Sequence, residues 1–141
     1  MWRMARDSQV LDVNAPYAYL LWCRDFARTS LVATVGGEPA GFVTGYRRPD
    51  EPDTLMVWQV AVDAAHRGQR LASRLLDRLA EVVRPQRLET TITPDNEASI
   101  GLFTRFAEDR GAGIEQHPVF DAALFPAGHE TELLFRIGPL G

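Results

Sequence analysis

The chain has 141 residues, a length that suits one globular domain (1–141) with one substantial core. Its hydrophobic fraction of 45% and net charge of −4 are ordinary for a folded protein and argue against a nucleic-acid-binding surface. All fifteen basic residues are arginine, which excludes lysine Schiff-base chemistry. The single Cys23 cannot form an internal disulfide, and no apolar run reaches the ~18 residues of a membrane span. We therefore expect a cytoplasmic protein.

The first third of the chain predicts a helix and a hairpin. Residues 1–8 show no clear pattern, and the most that they suggest is the C-terminal end of a helix. Asn14 is a candidate N-cap for a helix over 15–27, with Pro16 in its first turn. Strands over 31–35 and 40–46 follow, and the Gly-Gly pair between them is typical of a tight hairpin turn.

The central stretch reads as strand, loop and helix. The nearly continuous apolar run over 55–62 predicts a buried strand. The helix after the loop has an apolar stripe made of Leu71, Leu75, Leu76, Leu79, Val82 and Val83. Neither a Walker A loop nor the Gly-x-Gly-x-x-Gly dinucleotide motif is present. Spacing alone leaves two interpretations open, an anion site at the helix N-terminus or a plain connection between strand and helix.

The second half predicts a strand over 87–93, a helix over 97–109 and strands over 114–120 and 132–137. Asn96 is a strong candidate N-cap for the helix. A long connection over 121–131 separates the last two strands. The element order predicts a mixed sheet with helices packed on it, an α/β (α+β) layer architecture.

Residues 60–63 and 67–72 resemble motif A of the GNAT superfamily of N-acyltransferases. The resemblance implies acetyl-CoA as cosubstrate, with its pyrophosphate held by backbone N–H groups of the loop and helix start. Arg70 stands where the family has glycine. The cofactor-binding residues implied in this stretch are Val60, Ala61, Val62, Arg67, Gly68, Gln69, Arg70, Leu71 and Ala72.

A second stretch, 96–106, resembles the family's Asn-x-x-Ala-x-x-Leu-Tyr-x-x-Phe helix. The resemblance makes Asn96 a cofactor contact. Phe103 occupies the tyrosine position and cannot donate a proton to the leaving thiolate. The family fold implied is a mixed, mostly antiparallel sheet flanked by helices, with the family's first strand expected to lie before Met1.

Four segments, 11–21, 57–62, 88–96 and 129–132, resemble the branch of the family that acetylates the γ-amino group of L-2,4-diaminobutyrate in ectoine biosynthesis. This resemblance implies a homodimer and a role in osmoprotection. Two alternatives stay open. One is acetylation of another small diamine or amino acid, and the other is a non-catalytic acyl-CoA-binding module.

Three residues are candidates for the catalytic machinery. Glu89 lies inside a predicted central strand, where a charge is costly unless it is compensated; it is either a paired structural residue or the base that deprotonates the substrate ammonium. Periodicity alone makes Trp58 a core aromatic residue or a wall of a pocket. The family resemblance favours a place in the wall of the substrate site. Tyr17 is the third candidate. The resemblance also implies an oxyanion donor from a backbone N–H where the strand bulges, near Val60.

The candidate substrate-binding residues lie near the two ends of the chain. Asp12 and Asn14 precede the helix that covers the acceptor pocket in the family, although both also suit caps or surface positions. His129 and Glu132 lie in or beside the long connection, and Glu130 ranks behind Glu132. The spacing of His66 and His117 predicts no metal site.

Overall fold

The computed structural model describes all 141 residues and contains four α-helices and one six-stranded sheet. The helices are α1 (Trp2–Ser8), α2 (Pro16–Asp25), α3 (Leu71–Val83) and α4 (Glu97–Glu108). The strands are β1 (Leu31–Val35), β2 (Glu38–Arg47), β3 (Thr54–Val62), β4 (Arg87–Ile92), β5 (Gly113–Phe120) and β6 (Glu132–Gly138). No helix is both long enough and apolar enough to span a membrane.

The sheet has the order β1-β2-β3-β4-β6-β5, and only β3 and β4 run parallel. This confirms the expected mixed, mostly antiparallel sheet flanked by helices. Pairing between β3 and β4 runs from Thr54 opposite Arg87 to Val57 opposite Thr90 and then stops, although β3 continues to Val62. The two halves of the sheet therefore part, and the second half of β3 has a free edge toward β4.

Helices cover both faces of the sheet. Leu76 and Leu79 of α3 pack with Phe106 of α4 in the larger core cluster. The short helix α1, of which the sequence showed only a helix tail, packs on the opposite face, where Ala5 is fully buried in one cluster with Phe42. Each fully buried leucine contributes roughly 1.5–3 kcal/mol to folding. This packing fixes the strands whose ends form the site.

The start of α2 differs from the prediction. Ala15, not Asn14, is the N-cap residue, and it makes no side-chain cap bond. The reason is Pro16, because a proline disfavours helical backbone angles in the residue before it, and Ala15 accordingly has an extended ψ of 146°. Asn14 instead directs its Nδ2 to the carbonyl oxygen of Asp12 at 3.4 Å.

Strand β3 has a bulge at Trp58. This is two residues before Val60, near which the family resemblance implied the bulge. Thr44 of β2 pairs with Gln59 and the next residue, Gly45, pairs with Val57, so Trp58 is the extra residue. The close approach requires glycine at position 45, since a Cβ there would lie 2.8 Å from the carbonyl oxygen of Met56. Trp58 and Met56, two residues apart on the strand, both line the cavity described below.

Candidate active site

A groove of about 720 Å³ lies where β3 parts from β4 and α3 begins. Arg70, the N-cap residue of α3, makes no side-chain cap bond, so the first backbone N–H groups of the helix are free to bind an anion. Arg67, Arg70 and Arg105 line the groove. Three guanidinium groups beside a helix N-terminus suit a phosphate-bearing ligand.

Arg70 has a backbone conformation that favours glycine, the residue that the motif has at this position. Its φ of 56° and ψ of 28° lie in the left-handed region, which favours glycine. Gly68 also has a positive φ, 83°. The loop therefore makes a glycine-type turn and places a cationic side chain on the groove.

Most of the predicted cofactor-binding residues line this groove: Val60, Ala61, Val62, Arg67, Arg70, Ala72 and Asn96. Gly68, Gln69 and Leu71 do not. Gln69 faces a depression beside β1, and the side chain of Leu71 is buried, so only their backbone groups are available to a groove ligand. Asn96 also caps α4, as predicted, because its Oδ1 accepts from the backbone N–H of Ser99 at 3.1 Å.

A second cavity, of about 540 Å³, adjoins the groove and shares Val10, Leu11 and Asn96 with it. One wall is aromatic, with the rings of Trp22 and Trp58 stacked at 4.6 Å. The carboxylates on its lining are Asp12, Asp95, Glu130 and Glu132, and no arginine lines it. We call this the acceptor cavity. Its charge favours a cationic ligand placed next to whatever occupies the groove.

Three predicted substrate-binding residues come together in the acceptor cavity. The Nε2 of His129 lies 3.4 Å from Oδ2 of Asp12 and 3.6 Å from Oε1 of Glu132. The Nδ1–H of His129 donates to the carbonyl oxygen of Glu130 at 2.6 Å, because that oxygen can only accept. One potential ligand atom from each of Asp12, His129 and Glu132, a ring nitrogen or a carboxylate oxygen, lies within 4.8 Å of the others. This spacing suits a bound cation.

The cluster shifts the pKa of two of its members. The hydrogen bond to the Glu130 carbonyl, together with the carboxylate of Asp12, raises the pKa of His129 above its ordinary value. Burial raises the pKa of Glu132, while the Thr91 hydroxyl and the charge of His129 oppose that rise. A carboxylate with a raised pKa is a stronger base, which suits proton removal from an ammonium group.

Glu89 lines neither cavity, so the geometry of the site gives no support to its predicted role as the catalytic base. Its side chain is 2% exposed and lies 3.3 Å from Arg48 and 3.3 Å from Arg136. The same two arginines pair with Glu51, at 3.2 and 2.5 Å, which closes a ring of two carboxylates and two guanidinium groups. Charge compensation explains why the strand tolerates Glu89, and it favours the interpretation of Glu89 as a paired structural residue.

Two further predicted residues lie outside the acceptor cavity. The side chain of Tyr17 points to solvent and is 68% exposed. Asn14 does not line the cavity and bonds only to the backbone of Asp12. Phe103 lies on the buried face of α4 and packs in the core. Its side chain lines neither the groove nor the acceptor cavity.

The lining residues of the acceptor cavity that sequence reasoning did not predict include Gln59, Thr91, Asp95 and Trp22. Gln59 and Thr91 did have a signal in the sequence. Gln59 is an isolated amide in an apolar strand, and Thr91 shares the strand face of Glu89 by alternation. The positions of Trp22 and Asp95 depend on tertiary packing and had no sequence signal.

Residues 2–107 match the model of the acetyltransferase (GNAT) family. The chain belongs to the GNAT family of acetyltransferases. It is 62% identical to the L-2,4-diaminobutyric acid acetyltransferase of Streptomyces coelicolor, over 99% of this chain and 86% of that protein. The corresponding protein of Nocardia farcinica is 52% identical, over 99% of this chain and 74% of its own length.

Solved structures agree with this membership. Diaminobutyrate acetyltransferase EctA from Paenibacillus lautus, solved with its substrate L-2,4-diaminobutyric acid and coenzyme A, superposes with a TM-score of 0.93 at 39% identity. The match covers 98% of this chain and 86% of that one. Ard1 from Thermoplasma volcanium, at 19% identity and a TM-score of 0.78, shares the fold.

Proposed function

We propose that this GNAT acetyltransferase transfers the acetyl group of acetyl-CoA to the γ-amino group of L-2,4-diaminobutyrate. The observation that carries the proposal is the junction of the two cavities at Val10, Leu11 and Asn96. It joins a groove suited to phosphates to a carboxylate-rich cavity suited to a diamino acid. The high identity to diaminobutyrate acetyltransferases along almost the whole chain supports this substrate.

In this proposal acetyl-CoA occupies the groove. Its pyrophosphate accepts hydrogen bonds from the free N–H groups at the start of α3, with Arg67 and Arg70 supplying charge. The pantetheine arm follows the free edge of β3 over 60–62 toward the acceptor cavity. A backbone N–H on this edge, beyond the bulge at Trp58, stabilises the oxyanion of the tetrahedral intermediate.

Diaminobutyrate occupies the acceptor cavity, with one ammonium group beside Asp12 and the γ-nitrogen directed at the thioester. Glu132 replaces Glu89 as the proposed base, because its pKa is raised and it lies in the cavity. One proton of the γ-ammonium passes to Glu132, and the free amine attacks the thioester carbon. When the tetrahedral intermediate collapses, the carbon–sulfur bond breaks, and the second proton lost by the nitrogen passes to the departing thiolate, so that coenzyme A leaves as the thiol. No acyl-enzyme forms.

Thiol release with a panel of amines tests the substrate. The proposal predicts the highest kcat/KM for diaminobutyrate, and a preference for ornithine or lysine would instead favour acetylation of another diamine. Acetyl-CoA binding without turnover of any amine would favour a non-catalytic acyl-CoA-binding module. A chelator is expected to leave turnover unchanged, since the cation that the cluster binds is the ammonium group.

We also propose that residues 1–141 act as one domain in a cytoplasmic homodimer. Apolar side chains around α2 support self-association, since Val13, Tyr17 and Leu20 are 49%, 68% and 66% exposed. Sedimentation analysis should give a dimer that Leu20→Glu converts to monomers; a monomeric wild-type chain would contradict this.

In this proposal the acetylated product is used for the synthesis of ectoine, and ectoine in turn protects the cell against osmotic stress. The test is complementation of an ectoine-producing strain that lacks its own diaminobutyrate acetyltransferase. Restored ectoine accumulation at high salt is expected, and accumulation of unacetylated diaminobutyrate alone would contradict the proposal.

A further inference from the structure

Gln59 is a buried amide within the apolar strand β3, with 4% of its surface exposed. Its Oε1 accepts from the hydroxyl of Tyr19 at 3.0 Å, and its Nε2 donates to the carbonyl oxygen of Asp12 at 2.9 Å. The orientation of the amide is fixed, because a carbonyl oxygen can only accept. Gln59 therefore joins the sheet both to α2 and to the loop that carries Asp12.

Tyr19 is itself held rigidly. Its ring stacks on Trp58 at 5.7 Å and meets Phe42 edge-on at 6.5 Å, and it is 4% exposed. Rotation of the Gln59 amide would break two hydrogen bonds in a buried site, which is costly for both groups left unpaired. The amide nitrogen is thus held in one place relative to the core.

The position of Asp12 depends on this contact. The side chain of Asp12 is 77% exposed, and its carboxylate contacts only His129, at 3.4 Å. Its backbone is tied to the sheet through Nε2 of Gln59. The same loop contributes Val10 and Leu11 to both cavities, so the anchor acts at the junction where acetyl transfer takes place.

We propose that Gln59 is a positioning residue for acetyl transfer, which acts by holding the Asp12 loop so that the Asp12 carboxylate faces the substrate ammonium. The inference rests on the proposed placement of that ammonium beside Asp12. Gln59 takes no part in proton transfer, so its loss acts on diaminobutyrate binding and leaves the chemical step in place.

Gln59→Met keeps the length of the side chain and removes both hydrogen bonds. We expect the KM for diaminobutyrate to rise about tenfold, with the KM for acetyl-CoA and kcat nearly unchanged. The control is Thr54→Val on the same strand, because Thr54 is 1% exposed and its hydroxyl has no hydrogen-bond partner. The control should keep all three constants, and equal effects of both variants would overturn the proposal.

A double-mutant cycle with Asp12→Asn identifies the route of the effect. If Gln59 acts through Asp12, Gln59→Met should add little to the KM increase already caused by Asp12→Asn, whereas independent, multiplying effects would overturn the inference. An unchanged KM in Asp12→Asn alone would overturn the placement of the ammonium itself. A raised KM in Asp12→Asn without one in Gln59→Met would overturn the Gln59 inference alone.

Tyr19→Phe provides a milder variant in case Gln59→Met does not fold. It removes one hydroxyl and leaves the Gln59 contact to Asp12 in place. We expect the KM for diaminobutyrate to rise about threefold without a change in the KM for acetyl-CoA. No rise in a folded Tyr19→Phe protein would count against the rigid anchor.

Discussion

The Nε2 of His129 lies 3.4 Å from Oδ2 of Asp12, although 117 positions separate the two residues in the chain. The contact joins the loop after α1 to the segment before β6, and Glu132 at the start of β6 completes the cluster. The cluster of Asp12, His129 and Glu132 therefore forms only when both ends of the chain pack on the sheet. Its three members carry the proposed recognition and proton transfer.

Glu132→Gln should lower kcat by roughly 10²–10⁴-fold, because the amide cannot accept the proton of the substrate ammonium. The dissociation constant of acetyl-CoA should stay the same, since Glu132 lines only the acceptor cavity. Steady-state kinetics and calorimetric titration measure the two quantities. A kcat within threefold of wild type would exclude Glu132 as the base.

The pH dependence of kcat should follow the ionisation of Glu132. Burial raises the pKa of this carboxyl above its ordinary value of 4.5, and only the deprotonated form acts as a base, so kcat should rise with pH through that raised pKa. The Thr91 hydroxyl lowers the pKa, so Thr91→Val should move the rise to higher pH. Thr34→Val, on the exposed edge of β1, is the matched control. A shift to lower pH in Thr91→Val would contradict the assignment.

Glu89→Gln should reduce stability far more than turnover. The substitution leaves Arg48 and Arg136 without the buried carboxylate between them, and we expect the free energy of unfolding to fall by about 1–3 kcal/mol. Glu51→Gln affects the same arginines at a more exposed position and should cost less. Urea unfolding measures the loss. Unchanged stability with a hundredfold lower kcat would restore Glu89 as a catalytic candidate.

Arg67→Glu should weaken acetyl-CoA binding at least tenfold, because the reversed charge repels the pyrophosphate from the start of α3. Arg74→Glu makes the same change of charge one turn into the helix, on the side away from the groove, and should bind acetyl-CoA nearly as wild type does. Calorimetric titration compares the two. Equal losses would indicate a general effect of net charge and contradict a specific phosphate contact.

Local sequence patterns were sufficient to predict most helices and strands of the fold. The predicted stripe of α3 is buried except at Val82, which is 49% exposed, because the spacing of the other members matches one helix face. The Gly36-Gly37 turn was readable in the same way, and both glycines have positive φ. The motif at 67–72 also located the groove, since its residues are contiguous in the chain.

Tertiary pairing could not be predicted in the same way. Glu89 was predicted to be catalytic because it is an isolated charge in a strand, but its partners Arg48 and Arg136 lie far from it in the sequence. Glu132 was predicted only as a substrate contact, because the burial that raises its pKa arises from the assembled cavity. Alternation along a strand identifies a face, whereas the pairing of charges across that face depends on the whole sheet.

The most direct test is to incubate the protein with L-2,4-diaminobutyrate and carbon-labelled acetyl-CoA and to locate the acetyl group in the product by NMR. The proposed function predicts one acetylated product, with the label on the γ-nitrogen, and its loss in Glu132→Gln. Acetylation of the α-nitrogen, or no acetylated diaminobutyrate while another amine is consumed, would contradict it.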